Sequence, residues 1–508
     1  MRHYIYIIFL GILLSFTSCR KDFDTVASSG NLEFSKTEVY LDTVFSTIGS
    51  STYSLKVYNR SNDDIKIPII QLGKGLNSKY RILVDGITGN NKVFNNVELL
   101  AKDSLYIFIE TTANITDTEI DFTYNDEILF DNGAKQQKVK LTTLIDDAIF
   151  IFPNRSLDKK IYEKISVNGF VDKNKEKLNG HTLTDSELSW TNTKPYVIYG
   201  NCVVPTGKTL NIGVGTRVHF HDGASLIVDD GATLNIAGQV NLFDANGKIL
   251  TKKEVTFEGD RLEPEYEYVP GQWGAVFILS GTNNRIEHLT LKNAVVGILM
   301  LRNNNLTTPN LTIENSQIYD CSNYGILAKA SIINGKNLVI NSAGQACFAG
   351  TLGGLYDFIH CTINNNWNNS KQVAVFLNNY FDDENDIPIT LISTFDSCII
   401  YGSNQSEILI DVKGNQFVPD FKYCLFKFNS TSPVFAGNVY NFINGNTNPF
   451  FNKKNIDPKF KNVNINQLNI LTTMSGAYNG GNPINNFADI ISDPSKRNFD
   501  IGAYLHIP

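Results

Sequence analysis

The chain has 508 residues, a formal charge of −7 and only 19% charged residues, with 37 glycines and 11% aromatic residues. This length exceeds what one ordinary hydrophobic core supports, so we expect two domains or a repeat array. Glycine and aromatic residues favour turns and strands over solvated helices, and the lack of a long basic run argues against nucleic acid as a partner.

The first residues have the pattern of an export signal. Arg2 supplies a positive charge, Tyr4–Phe16 is an apolar run, and small residues precede Cys19. The apolar run is shorter than the about 20 residues that a membrane-spanning helix needs. Phe-Thr-Ser-Cys, ending at Cys19, resembles the lipobox of bacterial lipoproteins, with Phe16 where leucine is usual. We expect residues 1–18 to be a signal peptide and Cys19 to carry lipid; an ordinary cleaved signal is the alternative.

Residues 19–30 are expected to form a tether. The segment Arg20–Asp24 resembles the short acidic signals that send some Gram-negative lipoproteins to the outer surface. This resemblance implies a surface-exposed outer-membrane protein whose contact with the membrane is its lipid anchor.

Residues 31–146 alternate short strands with turns. Tyr53, Leu55 and Val57 show the two-residue period of a strand, and residues 58–62 have turn composition. This pattern over about 110 residues is typical of a β-sandwich. Residues 54–67 (SLKVYNRSNDDIKI) resemble the Ig-like sandwiches found beside β-helices in envelope proteins, which act as spacers or docking surfaces.

Residues 147–196 are polar and rich in lysine, so we predict a solvated connector that ends in a cap. Trp190 comes just before the first regular strands. The terminal coil of a repeat array has no neighbour for its apolar face, and an aromatic side chain can cover it. We therefore predict that Trp190 closes the first end of the array.

A repeat of about two dozen residues begins near residue 197. The segment TLNI occurs at 209–212 and again at 233–236, a spacing of 24 residues. Later strand ends follow at spacings of 22, 27 and 23 residues: Leu291, Ile313, Ile340 and Ile363. A period of this length, made of strands and glycine turns, is the signature of a β-solenoid in which each coil buries its neighbour's apolar face.

The segment Gly271–Met300 resembles right-handed parallel β-helix repeat proteins of the pectate-lyase-like group. The resemblance covers residues 197–508. It implies an all-β chain in which an N-terminal Ig-like β-sandwich precedes a right-handed parallel β-helix. At the far end, Phe499–Tyr504 resembles the closing motif of secreted β-helix proteins, with Leu505 where glutamate is usual.

Three asparagines, Asn293, Asn315 and Asn341, each follow an apolar strand by one or two residues, at intervals of 22 and 26. Equivalent asparagines in stacked coils can bond each other's amides and the backbone of the turns. We predict that these three form a structural ladder. A ligand-binding array is the alternative.

Six cysteines follow Cys19: Cys202, Cys321, Cys347, Cys361, Cys398 and Cys424. An even number in an exported chain permits disulfides. The last three share a local sequence frame, which predicts a small apolar residue packed repeatedly inside the coils. We expect mostly free, buried thiols, with a disulfide bridge as the alternative.

No residue set identifies a reaction. A lyase of this fold needs a cation or Ca²⁺ to neutralise a uronate carboxylate and a basic residue to remove a proton, whereas a hydrolase needs flanking carboxylates. Asp229-Asp230 has the composition of a turn. Arg285, His288 and Lys292 could share one face of a coil, but solvated polar residues beside a strand are expected anyway. We therefore assign no catalytic residue.

Metal binding is a secondary hypothesis. His219 and His221 alternate with Phe220 and would point the same way, as a metal pair or as solvated or stacked imidazoles. A Ca²⁺ site could form where four acidic residues crowd one loop, although the spacing of a dedicated calcium loop is missing. These residues are Asp382, Asp383, Glu384 and Asp386. No other cofactor is expected.

The sequence leaves two classes of function open. A β-helix offers a long face suited to an extended polymer. We expect a monomeric, non-catalytic surface lipoprotein that binds glycan or another envelope component through this face. The alternative is a polysaccharide lyase or glycoside hydrolase.

Overall fold

The computed structural model describes residues 25–45, 49–112, 123–156, 162–165, 167, 178–244, 249–279, 283–301, 307–367, 371–381, 387–429, 431–435, 437–444, 450–470, 472–484 and 499–503. The chain divides into two units, Met1–Asp147 and Ala148–Pro508. Both are built from strands, and the described residues contain one short α-helix, α1 (Asn441–Asn444). The predicted all-β fold with large parallel sheets is confirmed. None of the described helices is long and apolar enough to span a membrane.

The first unit is a sandwich of two sheets. Its strands are β1 (Val26–Ala27), β2 (Glu33–Phe34), β3 (Glu38–Phe45), β4 (Tyr53–Tyr58), β5 (Ile65–Leu72), β6 (Tyr80–Val84), β7 (Ile87–Thr88), β8 (Val93–Leu99), β9 (Ser104–Thr111), β10 (Thr123–Phe130) and β11 (Gln137–Asp146). One sheet has the order β1-β5-β10-β11-β3 with β8 also paired to β5, and the other has the order β2-β4-β9-β6-β7. Strands from both sheets bury alternate residues in one shared core, as Leu55 and Ile107 do opposite Ile67 and Leu141.

The second unit begins with short strands of two to seven residues. They are β12 (Ile149–Ile151), β13 (Lys164–Ile165), β14 (Leu178–Thr182), β15 (Ser189–Trp190), β16 (Tyr196–Ile198), β17 (Asn201–Val204), β18 (Thr209–Ile212), β19 (Arg217–Phe220), β20 (Ser225–Val228), β21 (Thr233–Ala237), β22 (Leu242–Phe243), β23 (Ile249–Thr251), β24 (Val255–Gly259), β25 (Trp273–Leu279), β26 (Asn284–Glu287) and β27 (Leu289–Lys292). Parallel pairing starts before residue 197, because β12, β14 and β15 already pair with β16, β17 and β18. These early strands are short and lie in polar sequence. The sequence pattern therefore predicts a connector where the structure has paired strands.

The remaining strands include two long ones that each pass through a corner. They are β28 (Ala294–Leu301), β29 (Leu311–Glu314), β30 (Gln317–Cys321), β31 (Tyr324–Lys336), β32 (Val339–Ala343), β33 (Ala346–Ile359), β34 (Thr362–Asn365), β35 (Val373–Asn378), β36 (Leu391–Asp396), β37 (Ile399–Gly402), β38 (Ile408–Asp411), β39 (Phe417–Lys422), β40 (Leu425–Phe426), β41 (Lys453–Lys454), β42 (Phe460–Asn462) and β43 (Gln467–Ile470). Short 3₁₀ turns lie at Gly75–Asn77, Gly133–Lys135, Asp185–Glu187, Pro264–Tyr266, Pro433–Phe435, Asn438–Tyr440 and Val463–Ile465.

Two long sheets run through this unit. An 11-stranded sheet, with the order β12-β16-β19-β24-β27-β30-β32-β34-β37-β40-β41, is parallel throughout. A 17-stranded sheet is parallel apart from the antiparallel pair β13–β14. We call one passage of the chain between successive strands of the 11-stranded sheet a coil. The two TLNI segments pair in register, Thr209 with Thr233 and Ile212 with Ile236, which confirms the 24-residue repeat.

Aromatic side chains lie near both ends of the continuous apolar core. Trp190 is 2% exposed and stacks on Tyr196 with ring centroids 4.7 Å apart. Near the other end, α1 brings Phe442 to 4.3 Å from Phe421. Because a terminal coil has no further coil to cover it, these rings supply the missing apolar contact.

Between the sheets, one turn repeats with the same backbone conformation. Its central residue has a φ of 49–55°, which non-glycine residues seldom adopt. In each case the backbone N–H of that residue donates to a carbonyl of the next coil at 2.8–3.2 Å. The six residues of this turn column are His288, Asn315, Asn337, His360, Ser397 and Tyr423.

The predicted ladder of Asn293, Asn315 and Asn341 is wrong, because the three asparagines do not occupy equivalent positions in their coils. Asn293 directly follows β27, Asn315 lies in the turn column, and Asn341 lies within β32. Oδ1 of Asn315 accepts from Nδ2 of Asn337 at 2.9 Å, and Oδ1 of Asn341 accepts from Nδ2 of Asn364 at 2.7 Å. Coils differ in length, so similar spacing along the chain does not place residues at the same position of the coil.

The six cysteines after Cys19 are buried free thiols, as predicted. Cys361, Cys398 and Cys424 stack inside the coils: the backbone N–H of Cys361 approaches Sγ of Cys398 at 3.4 Å, and Sγ of Cys424 donates to the carbonyl of Phe395 at 3.3 Å. Burial raises the pKa of the Cys398 thiol well above its usual value. The Cys398 thiol therefore remains protonated, and the stacked cysteines pack as small apolar residues.

Candidate functional site

One outward-facing position of the 11-stranded sheet is polar in the earlier strands, and the C-terminal segment covers it farther along the sheet. Thr256, Thr290 and Gln317 occupy one aligned position in successive strands, and Val339 takes this position in the next strand. From Val339 onward the C-terminal segment covers the face, with Leu468 and Ala503 packed on Val339. The earlier strands, which carry Thr290 and Gln317, lie at the edge of this segment. A cleft lies beside these strands.

This cleft has a volume of about 450 Å³, within the usual range for ligand sites. Its floor is formed by residues of the 11-stranded sheet and its turns. Its walls are formed by the β22–β23 hairpin, the segment around Glu267 and the C-terminal β42–β43 hairpin. The lining residues are Gln239, Val240, Asn241, Phe243, Ile249, Glu254, Glu267, His288, Asn315, Gln317, Tyr319, Ile465, Asn466, Gln467 and Asn469.

Hydrogen bonds hold the floor of the cleft in place. Thr290 donates its hydroxyl to Glu254 at 2.7 Å, and Nε2 of Gln317 lies 3.4 Å from that hydroxyl. Asn241 accepts from the backbone N–H groups of Lys253 at 2.7 Å and Glu254 at 3.0 Å, which fixes the hairpin wall to the floor. The polar groups are therefore preorganised by their neighbours.

A buried polar chain joins the C-terminal hairpin to the sheet. Asn466 donates to Asp320 at 2.9 Å and accepts from Asn341 at 2.5 Å, and Asn341 accepts in turn from Asn364. Burial raises the pKa of Asp320 to about 7, against the opposing influences of Asn466 and Lys292. Asp320 is 7% exposed and lies behind Asn466, so it supports the wall of the cleft.

Ionisation beside the cleft is set by burial and by ion pairs. Burial opposes the charge of Glu258, but His219 and Lys292 outweigh it and lower the pKa of that carboxyl. Nζ of Lys292 lies 3.0 Å from Glu258. Burial lowers the pKa of His288, so its imidazole is neutral at pH 7.

Arg285, His288 and Lys292 do not converge on one site. Arg285 lies in the 17-stranded sheet, where it contacts Glu287 and Glu314 at 3.3 Å each. Lys292 lies in the 11-stranded sheet, and His288 occupies the turn between the two. The turn separates side chains that are close in sequence.

The other sequence candidates have structural partners. His219 is 4% exposed and lies 3.5 Å from Glu258, whereas His221 is at the surface with Nδ1 2.7 Å from Asp260. The two imidazoles therefore bind different carboxylates. Asp229 is buried in a turn and accepts from the hydroxyl of Thr206 at 3.1 Å.

The described residues contain no group of three or more His, Cys, Asp or Glu side chains placed to hold a metal ion. The predicted Ca²⁺ ligands Asp382, Asp383, Glu384 and Asp386 lie outside the described residues, and so does Cys19. The Ca²⁺ site and the lipid site stay predictions.

A larger cleft of about 690 Å³ lies on the first unit, and its lining includes Glu38, Lys74 and Asp126. Two of its charged side chains have partners within the fold: Glu38 accepts from Thr142 at 2.7 Å, and Nζ of Lys74 lies 4.2 Å from the ring of Tyr124. The smaller cleft gathers amides, carboxylates, an imidazole and a phenol from several elements, so we take it as the candidate site.

Sequence reasoning missed this cleft because its residues come from five separate segments. One signal was present: the change from Thr256, Thr290 and Gln317 to Val339 at equivalent strand positions marks where a polar face becomes covered. This change can be recognised only when the strands are aligned with one another. Because the coils differ in length, spacing along the sequence does not give that alignment.

No protein-family model matches this chain, and no curated protein matches it. Among solved structures, the chain is similar to the ASH / PapD-like domain 7 of human CEP192, at 12% identity and a TM-score of 0.16, covering 23% of this chain and 87% of that one. It is also similar to the E. coli chaperone DraB, at 17% identity and a TM-score of 0.16, covering 24% of this chain and 57% of that one.

Proposed function

We propose that this protein is a non-catalytic surface lipoprotein that binds a glycan in the cleft on the outer face of its 11-stranded sheet. The observation that carries the proposal is the lining of the cleft, which combines several amide side chains with the aromatic residues Tyr319 and Phe243. Amides both donate and accept hydrogen bonds, as sugar hydroxyls require, and aromatic rings supply apolar contact area. We further propose that the second unit is a right-handed parallel β-helix of the pectate-lyase-like type and the first an Ig-like spacer.

Glycan binding in the cleft can be tested by changing the polar side chains on the β42–β43 hairpin. Gln467 and Asn469 line the cleft and are partly exposed, so removing their amides should leave the fold intact. We expect Q467A/N469A to weaken glycan binding about tenfold or more, because two hydrogen bonds of about 1 kcal/mol each are lost. The measurement is isothermal titration of the mature protein with oligosaccharides chosen from a panel of neutral and uronate-containing polysaccharides.

The matched control is Asn464→Ala, on the same hairpin. Asn464 is exposed, does not line the cleft and bonds Asn366 at 3.2 Å. Its replacement should leave the affinity unchanged. Equal glycan affinities for the wild type, the control and Q467A/N469A would show that glycan binds outside this cleft. If no oligosaccharide of the panel binds the wild type, the glycan proposal is refuted.

A second candidate function is a polysaccharide lyase or glycoside hydrolase. It is favoured by one observation: Glu254 and Glu267, two carboxylates, line the same cleft. Hydrolases of glycosidic bonds use such pairs as acid and base or nucleophile. New reducing or unsaturated ends in the same incubations, with and without Ca²⁺, would establish this alternative; binding without cleavage supports the first proposal.

We propose that Cys19 carries the lipid that attaches the protein to the outer membrane. The motif before Cys19 motivates this assignment. Cells grown with a labelled fatty-acid analogue should incorporate the label into the wild-type protein and not into Cys19→Ala. Label retained by Cys19→Ala would refute it.

A further inference from the structure

The charge of the cleft restricts what it can bind. Among the described residues that line it, Glu254 and Glu267 carry carboxylates, and there is neither lysine nor arginine. His288 also lines the cleft, but burial lowers its pKa and keeps the imidazole neutral at pH 7. The described lining therefore has a negative charge.

The nearest cations do not reverse this charge. Lys292 is 3.0 Å from Glu258 and is committed to that carboxylate, which the imidazole of His219 also approaches at 3.5 Å. Nζ of Lys252 lies 3.9 Å from Glu254, with its side chain 42% exposed, so solvent and salt screen this pair. Glu267 adds a further carboxylate to the lining of the cleft.

A uronate unit would bring another carboxylate into this site. Such a group needs a cation or a bound metal to offset the loss of its hydration, and here it would meet charges of its own sign. A sugar hydroxyl has the opposite preference, because ionised carboxylates are strong acceptors for O–H donors. Amide groups of the lining can bond the remaining hydroxyl or acetamido groups.

We infer that the cleft selects glycan units without carboxylates and rejects uronates. This inference rests on the proposed function, since it names the class of glycan for the same cleft. The carboxylates of Glu254 and Glu267 discriminate against uronates. The amide side chains bind sugar hydroxyls and therefore contribute affinity for neutral and acidic sugars alike.

The test compares oligosaccharides of equal length by isothermal titration to the mature chain. The probes are neutral hexamers (cello-, manno- and N-acetylglucosamine oligomers) and acidic hexamers (galacturonate and mannuronate oligomers). We expect the best neutral hexamer to bind at least about tenfold tighter than either uronate hexamer, the factor that one unfavourable charge contact of moderate strength produces.

The variant E254Q/E267Q should raise uronate affinity about tenfold. A glutamine at position 254 keeps an oxygen that can accept from Thr290, and E267Q alone serves as a second variant if the double substitution does not fold. Glu314→Gln, which removes a carboxylate paired with Arg285 in the other sheet, is the matched control and should leave both affinities unchanged. Higher salt should narrow the difference between neutral and acidic probes in the wild type.

Each outcome has one reading. Equal or tighter binding of uronates by the wild type would overturn the selectivity and leave glycan binding standing. Selectivity that persists unchanged in E254Q/E267Q and in E267Q would overturn the role of the two carboxylates. If neither class of probe binds, the proposed function fails and this inference fails with it.

Discussion

Asn365→Ala should lower the free energy of unfolding of the second unit by about 3–5 kcal/mol, because one fully buried side chain makes four hydrogen bonds. Nδ2 of Asn365 donates to the carbonyls of Ala343 at 2.8 Å and Val373 at 2.9 Å. Oδ1 accepts from the backbone N–H groups of Ala343 and Trp367, both at 3.2 Å. Alanine would remove all four of these hydrogen bonds, two of which are buried and two part-buried.

Tryptophan fluorescence during denaturant unfolding measures this effect selectively, because all three tryptophans of the chain lie in the second unit. Asn366→Ala is the matched control. Asn366 directly follows Asn365 and makes an exposed hydrogen bond to Asn464 at 3.2 Å, so we expect its replacement to lower the free energy of unfolding by less than about 1 kcal/mol. Similar losses for the two variants would show that the four bonds of Asn365 contribute little.

The second unit should lose stability as the pH rises from about 4 to about 7, and Asp320→Asn should remove part of that loss. Burial raises the pKa of Asp320 from 3.8 to about 7 in the folded protein. A raised pKa means that the folded state holds a proton which the unfolded state has released. The contribution is therefore complete below the unfolded pKa and is lost as the pH passes through the folded pKa.

The expected slope from this group is of the order of 1 kcal/mol per pH unit between those two values. An asparagine at position 320 can still accept the hydrogen bond from Asn466, so the wall of the cleft should keep its contacts. Unfolding free energies measured at intervals across this pH range test the prediction. Parallel curves for wild type and Asp320→Asn would contradict it. Glu407, whose pKa burial raises to about 8, adds a slope of the same sign to both proteins.

Local patterns were enough to predict the strands and the repeat. TLNI at 209–212 and 233–236 pairs in register because each strand alternates apolar and polar residues and stacks on its own copy. The shared frame of Cys361, Cys398 and Cys424 likewise predicted small side chains inside the coils. These features depend on neighbours in sequence or on one repeat of fixed length.

The cleft and the asparagine pairs could not be predicted in the same way. Asn315 bonds Asn337 and Asn341 bonds Asn364, pairs that no constant spacing gives. Asp320 meets Asn466, a partner 146 residues away, because the C-terminal segment returns across the sheet. The returning segment packs on Val339, Ile399 and Leu425, and the equivalence of these positions is apparent only once the coils are aligned.

The turn column has a consequence for how such a chain can change its length during evolution. Its members include His288, Asn315, Ser397 and Tyr423, side chains with little in common, yet each adopts the same left-handed backbone. A left-handed conformation costs about 1 kcal/mol or more for such residues, and the hydrogen bond that each N–H donates to the next coil offsets it. The adjoining coil therefore helps to specify the junction, together with the asparagine and histidine residues that take four of its six positions and adopt this conformation more readily than most. A duplicated or deleted coil would meet the same junction on both sides, so we expect the array to grow or shrink by whole coils.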